Sequence, residues 1–145
     1  MAYVITINNN LYKIAANETD KNEHVSSYPP YVANEISDSD FTKVKSGVST
    51  VVVSADGTIS FEDDGTCVFE NTDELNGYIT YVKNCLTPFL DQKENNSKAI
   101  YSEINTYKSF LDSFDTSSVS FPLNSSWEKY CEDNSIAYIS TLQIP

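Results

Sequence analysis

Two apolar stripes in the second half of the chain restrict its fold more than any other feature. Leu75, Tyr78, Ile79, Val82, Cys85, Leu86, Phe89 and Leu90 recur at intervals of three and four. That spacing lines one side of a helix. Asn71-Thr72-Asp73-Glu74 supplies a start signal, with capping-box spacing from Asn71 to Glu74. Pro88 predicts a kink or an end near Thr87. Asp91 to Ser97 is polar and reads as a turn. Ile100, Tyr101, Ile104, Tyr107, Phe110, Leu111 and Phe114 then form a second stripe. A connection this short predicts an antiparallel helical hairpin.

The first half has strand character instead. Ala2 to Ile7 is rich in β-branched and aromatic residues. Asn8-Asn9-Asn10 can adopt the left-handed turn of a hairpin, and Leu11 to Ala15 reads as the return strand. Strict alternation puts Tyr12 and Ile14 on one face and Lys13 on the other. Asn17 to Ser27 is polar and reads as a loop, continued by the extended Tyr28-Pro29-Pro30-Tyr31. A short helix opens at Ser37-Asp38-Ser39-Asp40, carries Phe41 and Val44 on one face, and ends at Gly47. Val48 to Phe69 predicts a three-stranded meander with turns at Asp56-Gly57 and Asp64-Gly65. A two-residue loop at Asp56-Gly57 pairs Ser54 with Ile59 and Val52 with Phe61. Val52, Ile59 and Phe61 then share one face, and Val51, Val53, Cys67 and Phe69 the other.

Near the end, Ser125-Ser126-Trp127-Glu128 carries a second capping box and starts a short helix to about Asp133. Trp127, Tyr130 and Cys131 form its inner face. Ile136 to Pro145 is extended in character. Its alternate residues Ile136, Tyr138, Leu142 and Ile144 suit an edge strand or a segment laid along another chain. The fold expected is α+β: an N-terminal antiparallel sheet, made of a hairpin plus a three-stranded meander, packed on a helical hairpin and a short third helix. The 145 residues suit a single domain, 1–70 mainly β and 71–145 mainly α with an extended tail.

Charge narrows the function classes. The chain has 21 acidic residues against nine lysines, no arginine, and a net charge of −12. Nucleic-acid binding rests on a basic patch, and docking on anionic lipid on clustered Lys and Arg. Neither partner is therefore expected. No leader or apolar span is evident, which predicts a cytoplasmic protein. Abundant Asn, Lys, Ile and Tyr point to an AT-rich source, such as a marine bacterium or its phage.

Residues able to do chemistry are scattered. Cys67, Cys85 and Cys131 form no CxxC pair and read as buried small hydrophobes. His24 is the sole histidine, and it reads as an exposed loop residue because no partner histidine or nucleophile motif accompanies it. The acids at Glu62 to Asp64 and Glu70 to Glu74 lack calcium-loop spacing. Four scattered glycines make no phosphate loop. No catalytic residue, cofactor or metal site is expected, and the chain reads as a protein that is not an enzyme. Tyr28 and Tyr31, beside the prolines, and Leu142 and Ile144, in the tail, are the candidate partner-binding residues.

The layout resembles small proteins of tailed marine phages encoded near tail-fibre genes. The resemblance rests on Tyr3-Val4-Ile5 to Leu11-Tyr12-Lys13, on Ser27 to Val32 leading to Phe41 through Val53, and on Trp127-Glu128-Lys129-Tyr130 with Leu142-Gln143-Ile144-Pro145. It covers about half of the chain. It implies a non-catalytic accessory protein that binds another virion protein, with tail-fibre assembly chaperone as the specific role. A minor structural virion component and an acidic nucleic-acid mimic that inhibits a host protein are the alternatives, and self-association into a homo-oligomer stays open. The two helices match the acidic helical domain of some fibre chaperones only in part.

Overall fold

A computed structural model describes residues 1–25, 30–63 and 67–145. The fold is α+β, and the chain groups into two compact units, residues 1–64 with 142–145 and residues 65–141.

The first unit begins with the expected hairpin, β1 (Ala2–Ile7) and β2 (Asn10–Ala15). Asn8 and Asn9 take φ of 51° and 59°, so both turn residues are left-handed. That conformation matches the twist of the strands, and Asn tolerates it better than most residues. The pairing is not uniform. Ile5 faces Lys13 but Thr6 faces Leu11, which leaves Tyr12 as an extra residue on β2. This bulge puts Tyr12 and Lys13 on the same side, with the Lys13 ammonium 5.5 Å from the centre of the Tyr12 ring. The alternation that put Tyr12 with Ile14 is broken there, because a bulge resets the period.

Two segments differ from the expected loop. Asn17 to His24 contains a helix, α1 (Glu18–His24), capped by Asn17, whose side chain accepts from the Asp20 amide at 2.9 Å. The Tyr3 hydroxyl donates to Glu18 at 2.7 Å and ties this helix to β1. His24 is accordingly buried at 4% exposure, and is not an exposed loop residue. After the prolines comes a strand, β3 (Tyr31–Ile36), antiparallel to β1. The sheet order is β2-β1-β3, so β1 is central.

Helix α2 (Asp38–Lys45) is capped by Ser37, whose Oγ accepts from the Asp40 amide at 3.0 Å. It closes with Gly47 at φ 76°. The Gly47 amide reaches the Val44 carbonyl and the Val48 amide the Lys43 carbonyl. Both bonds are those of a Schellman motif, which needs a left-handed residue at that place. Next come β4 (Ser49–Val53) and β5 (Ile59–Asp63), a two-stranded pair.

The β4-β5 register is a correction. Val53 pairs with Ile59 and Val51 with Phe61, one residue away from the expected register. The loop holds three residues, closed by Ser54 and Thr58, whose Ser54 amide to Thr58 carbonyl bond is 3.0 Å. Gly57 sits at φ 89°. Asp56 turns back and accepts from the Thr58 amide at 3.0 Å and from the Ser54 hydroxyl. A one-residue slip moves side chains to the other face. Hence Val51, Val53, Ile59 and Phe61 now share one core. The Asp64-Gly65 turn lies outside the described residues. No third strand of the meander follows it among the described residues, and Phe69 instead forms a lone bridge with Leu123.

Both faces of β1 are covered within this unit. On one face Ala2, Val4 and Ile14 pack with Phe41, Val44 and Val51. On the other, Tyr3, Ile5 and Ala15 meet Tyr12, Val25 and Tyr31. Each fully buried aliphatic side chain there stabilises by roughly 2 kcal/mol.

The second unit is helical. Helix α3 (Thr72–Asp91) is capped by Asn71, which accepts from the Glu74 amide at 3.0 Å. It runs three residues past Pro88 rather than stopping near Thr87. Proline removes one amide donor only, and here it does so in the last turn. The buried Phe89 anchors that turn, and the Asn95 side chain donates to the Phe89 carbonyl at 2.8 Å. A 3-10 turn at Lys93–Ser97 leads to α4 (Tyr101–Ser113). Phe89 touches Tyr101, Lys83 pairs with Asp112, and Asn76 accepts from Thr116. One helix rises in number as the other falls, so the two are antiparallel. Helix α5 (Trp127–Asp133) starts at Ser126, which accepts from the Lys129 amide at 3.0 Å. The expected Ser125 to Glu128 box does not form: Ser126 is the cap, and Glu128 turns inward.

Residues 136–145 are not an edge strand. They end in a 3-10 turn at Thr141–Gln143. No helix among the described residues is long and apolar enough to cross a membrane.

Candidate protein-binding edge

Among the described residues, strand β3 is paired on one side only, with β1. Its inner side is fixed along its whole length, from Ile7 opposite Tyr31 to Ala2 opposite Ile36. Its ends are anchored on opposite faces. Tyr31 packs with Tyr3 and Ile5, its ring 5.4 Å from that of Tyr12. Ile36 packs into the cluster of Ala2, Val4 and Phe41. Between these anchors Val32 is 55% exposed, and Ala33 and Glu35 are exposed too. Asn34 is held by a bond from its amide to the Val4 carbonyl at 3.3 Å.

A strand with one free side offers a row of backbone donors and acceptors to another extended segment. Proteins blunt such edges with proline and charge. Here Pro30 guards one end and Glu35 lies near the other, while the edge between them carries the apolar Val32 and Ala33. The arrangement can accept a strand antiparallel or parallel to β3.

The expected contact residues do not converge. Tyr31 opens β3 and is half-buried. Tyr28 lies outside the described residues. Leu142 is half-buried against the cluster of Ala2, Val4, Ile14, Phe41, Val44 and Val51, on the sheet face opposite Tyr31. Ile144 is buried at 8% exposure. Sequence reading did not single out Val32 and Ala33, the exposed apolar residues of this strand.

The second unit contains a buried polar cluster that sequence reading also missed. Glu128 is 7% exposed and accepts from the Tyr78 hydroxyl. Beside it, the Trp127 indole donates to the Tyr107 hydroxyl at 3.0 Å. Burial pushes the Glu128 carboxyl above its ordinary range, against the lowering effect of the Tyr78 bond. Burial likewise raises Tyr78, Tyr107 and Cys131. Of the cysteines, Cys131 is buried and Cys85 half-buried, but Cys67 is exposed rather than buried. No group of three or more His, Cys, Asp or Glu among the described residues is placed to hold a metal ion.

The chain matches no family model, no curated protein and no solved structure.

Proposed function

We propose that the chain is a non-catalytic accessory protein that binds another protein by accepting an extended segment along β3. The observation that carries this is the β3 edge, unpaired among the described residues, with Val32 near its start more than half exposed. Backbone pairing would supply affinity and the alternate side chains selectivity. The sequence resemblance to small tailed-phage proteins suggests the class of partner, a virion protein such as a tail fibre. An aggregation-prone strand of that partner would be covered on β3 until assembly, which is the work of an assembly chaperone. On this reading the chain acts in the cytoplasm where it is made. The net charge of −12 keeps the chain apart from nucleic acid and favours a partner with basic residues around the docking segment.

Val32→Lys with Ala33→Lys tests the reading. Both side chains are exposed, so the fold is expected to survive, while charge on the edge opposes strand addition. Capture from the producing cells should recover a virion protein with the native chain and lose it with the double variant. Recovery of the same protein by both forms would contradict the assignment to β3.

A further inference from the structure

Glu128 occupies an unusual place. It stands in the first turn of α5, almost without solvent contact, and its side-chain donor is the hydroxyl of Tyr78 on α3. The residue before it, Trp127, bonds Tyr107 of α4. Two consecutive residues therefore tie α5 to both long helices.

Among the described residues, the titratable groups whose charge is felt at or from the Glu128 carboxyl are acids. They are Tyr78 and Tyr81 from α3, Tyr107 from α4, Cys131 from α5, Cys67 from the segment before α3, and Tyr138 from the segment after α5. None can carry a positive charge. Lys129, one residue on from Glu128, pairs with Asp133, and Lys83 and Lys108 of the two long helices pair with Asp112. A buried charge without a counter-ion is costly, and the group takes a proton instead.

We propose that Glu128 is a protonation-controlled latch of the second unit: its buried seat in the first turn of α5 favours the neutral acid, and ionisation there destabilises the packing of the unit. Burial sets the direction of its pH dependence, against the Tyr78 hydroxyl and a backbone amide, which favour the ionised form. A carboxyl whose folded value lies above the unfolded 4.5 favours the folded form in acid. That contribution is complete below 4.5 and is lost as the pH rises through the folded value. Glu18, Asp56, Asp112 and Asp115, whose carboxyls are lowered by their partners, act in the opposite sense. The latch is therefore read as a difference between two proteins and not from one profile.

The experiment is urea unfolding of the full chain and of Glu128→Gln between pH 4 and 8, followed through Trp127, the sole tryptophan. Glutamine keeps the shape and cannot ionise. The midpoint of the variant relative to the native chain should rise as the pH passes from 4.5 through the folded value and level off above it. A difference that is flat across this range, or that falls, overturns the proposal. Carbon-13 titration of the native chain gives an independent reading that does not need the variant to fold. The Glu128 carboxyl should titrate above the other glutamates, and a midpoint at or below theirs overturns the latch.

Discussion

The hydroxyl of Tyr78 donates to the carboxyl of Glu128, joining α3 to α5 across 50 positions of sequence. This bond spends a carboxylate that the local sequence offered to a helix cap. Ser126 caps α5 without it, so Glu128 is released for the interior. Removing the donor leaves a buried carboxyl with less support. Tyr78→Phe should lower the stability of the helical unit by about 1–3 kcal/mol at neutral pH. Urea unfolding followed by Trp127 fluorescence checks this, and an unchanged midpoint would show that the bond contributes nothing.

The two left-handed asparagines of the first turn make a second test. Asn8 has φ 51°, a conformation that costs an ordinary residue about 1 kcal/mol more than it costs Gly. Asn8→Ala should therefore destabilise the first unit by about that amount, and Asn8→Gly should not. Chemical denaturation of the two variants side by side distinguishes turn strain from any loss of side-chain contacts.

Gly57 meets the first turn from the other hairpin. The Asn9 side chain donates to the Ala55 carbonyl at 2.9 Å, and a Cβ on Gly57 would lie 2.9 Å from Asn9 Oδ1. The left-handed φ of 89° adds its own strain. Gly57→Ala should cost more than the simple loss of a turn glycine, above about 1 kcal/mol. Pairing it with Asn9→Ala should return part of that loss, because the clash is removed, and a double-mutant cycle measures the return.

The tail gives the fourth test. Ile144 is buried, and Leu142 packs on the core of the first unit. Placing a carboxylate at Ile144 would bury a charge among apolar groups. Ile144→Asp should destabilise the chain by at least about 2 kcal/mol, seen as a lowered melting temperature. A variant that melts like the native chain but loses its partner would instead make the tail a contact surface.

Elements governed by local chemistry were legible. The α2 stop at Gly47, the Asn71 cap of α3 and the Asn8-Asn9 turn each follow from one or two residues with a strong backbone preference. Helix α1 was not, because Glu18 to His24 has no apolar stripe and is held by Asn17 and by the distant Tyr3. The β4-β5 register depended on whether Asp56-Gly57 filled a two-residue or a three-residue loop. Ser54 and Thr58 decide that through bonds invisible to alternation. The Tyr12 bulge shifted the face of one residue for a similar reason. At the candidate edge, the proline neighbours singled out Tyr31, which the structure places half-buried at the start of β3. Val32 and Ala33 stand out only once β1 is known to cover one side of β3, the other being unpaired among the described residues.

The most direct test of the docking edge is site-specific photo-crosslinking in the cells that make the protein. A photoreactive residue is placed at Val32 on β3, and in a second protein at the exposed Glu103 on α4. The account predicts a covalent adduct with one other polypeptide from position 32 and none from position 103. An adduct from position 103 alone, or the same adducts from both positions, would contradict it.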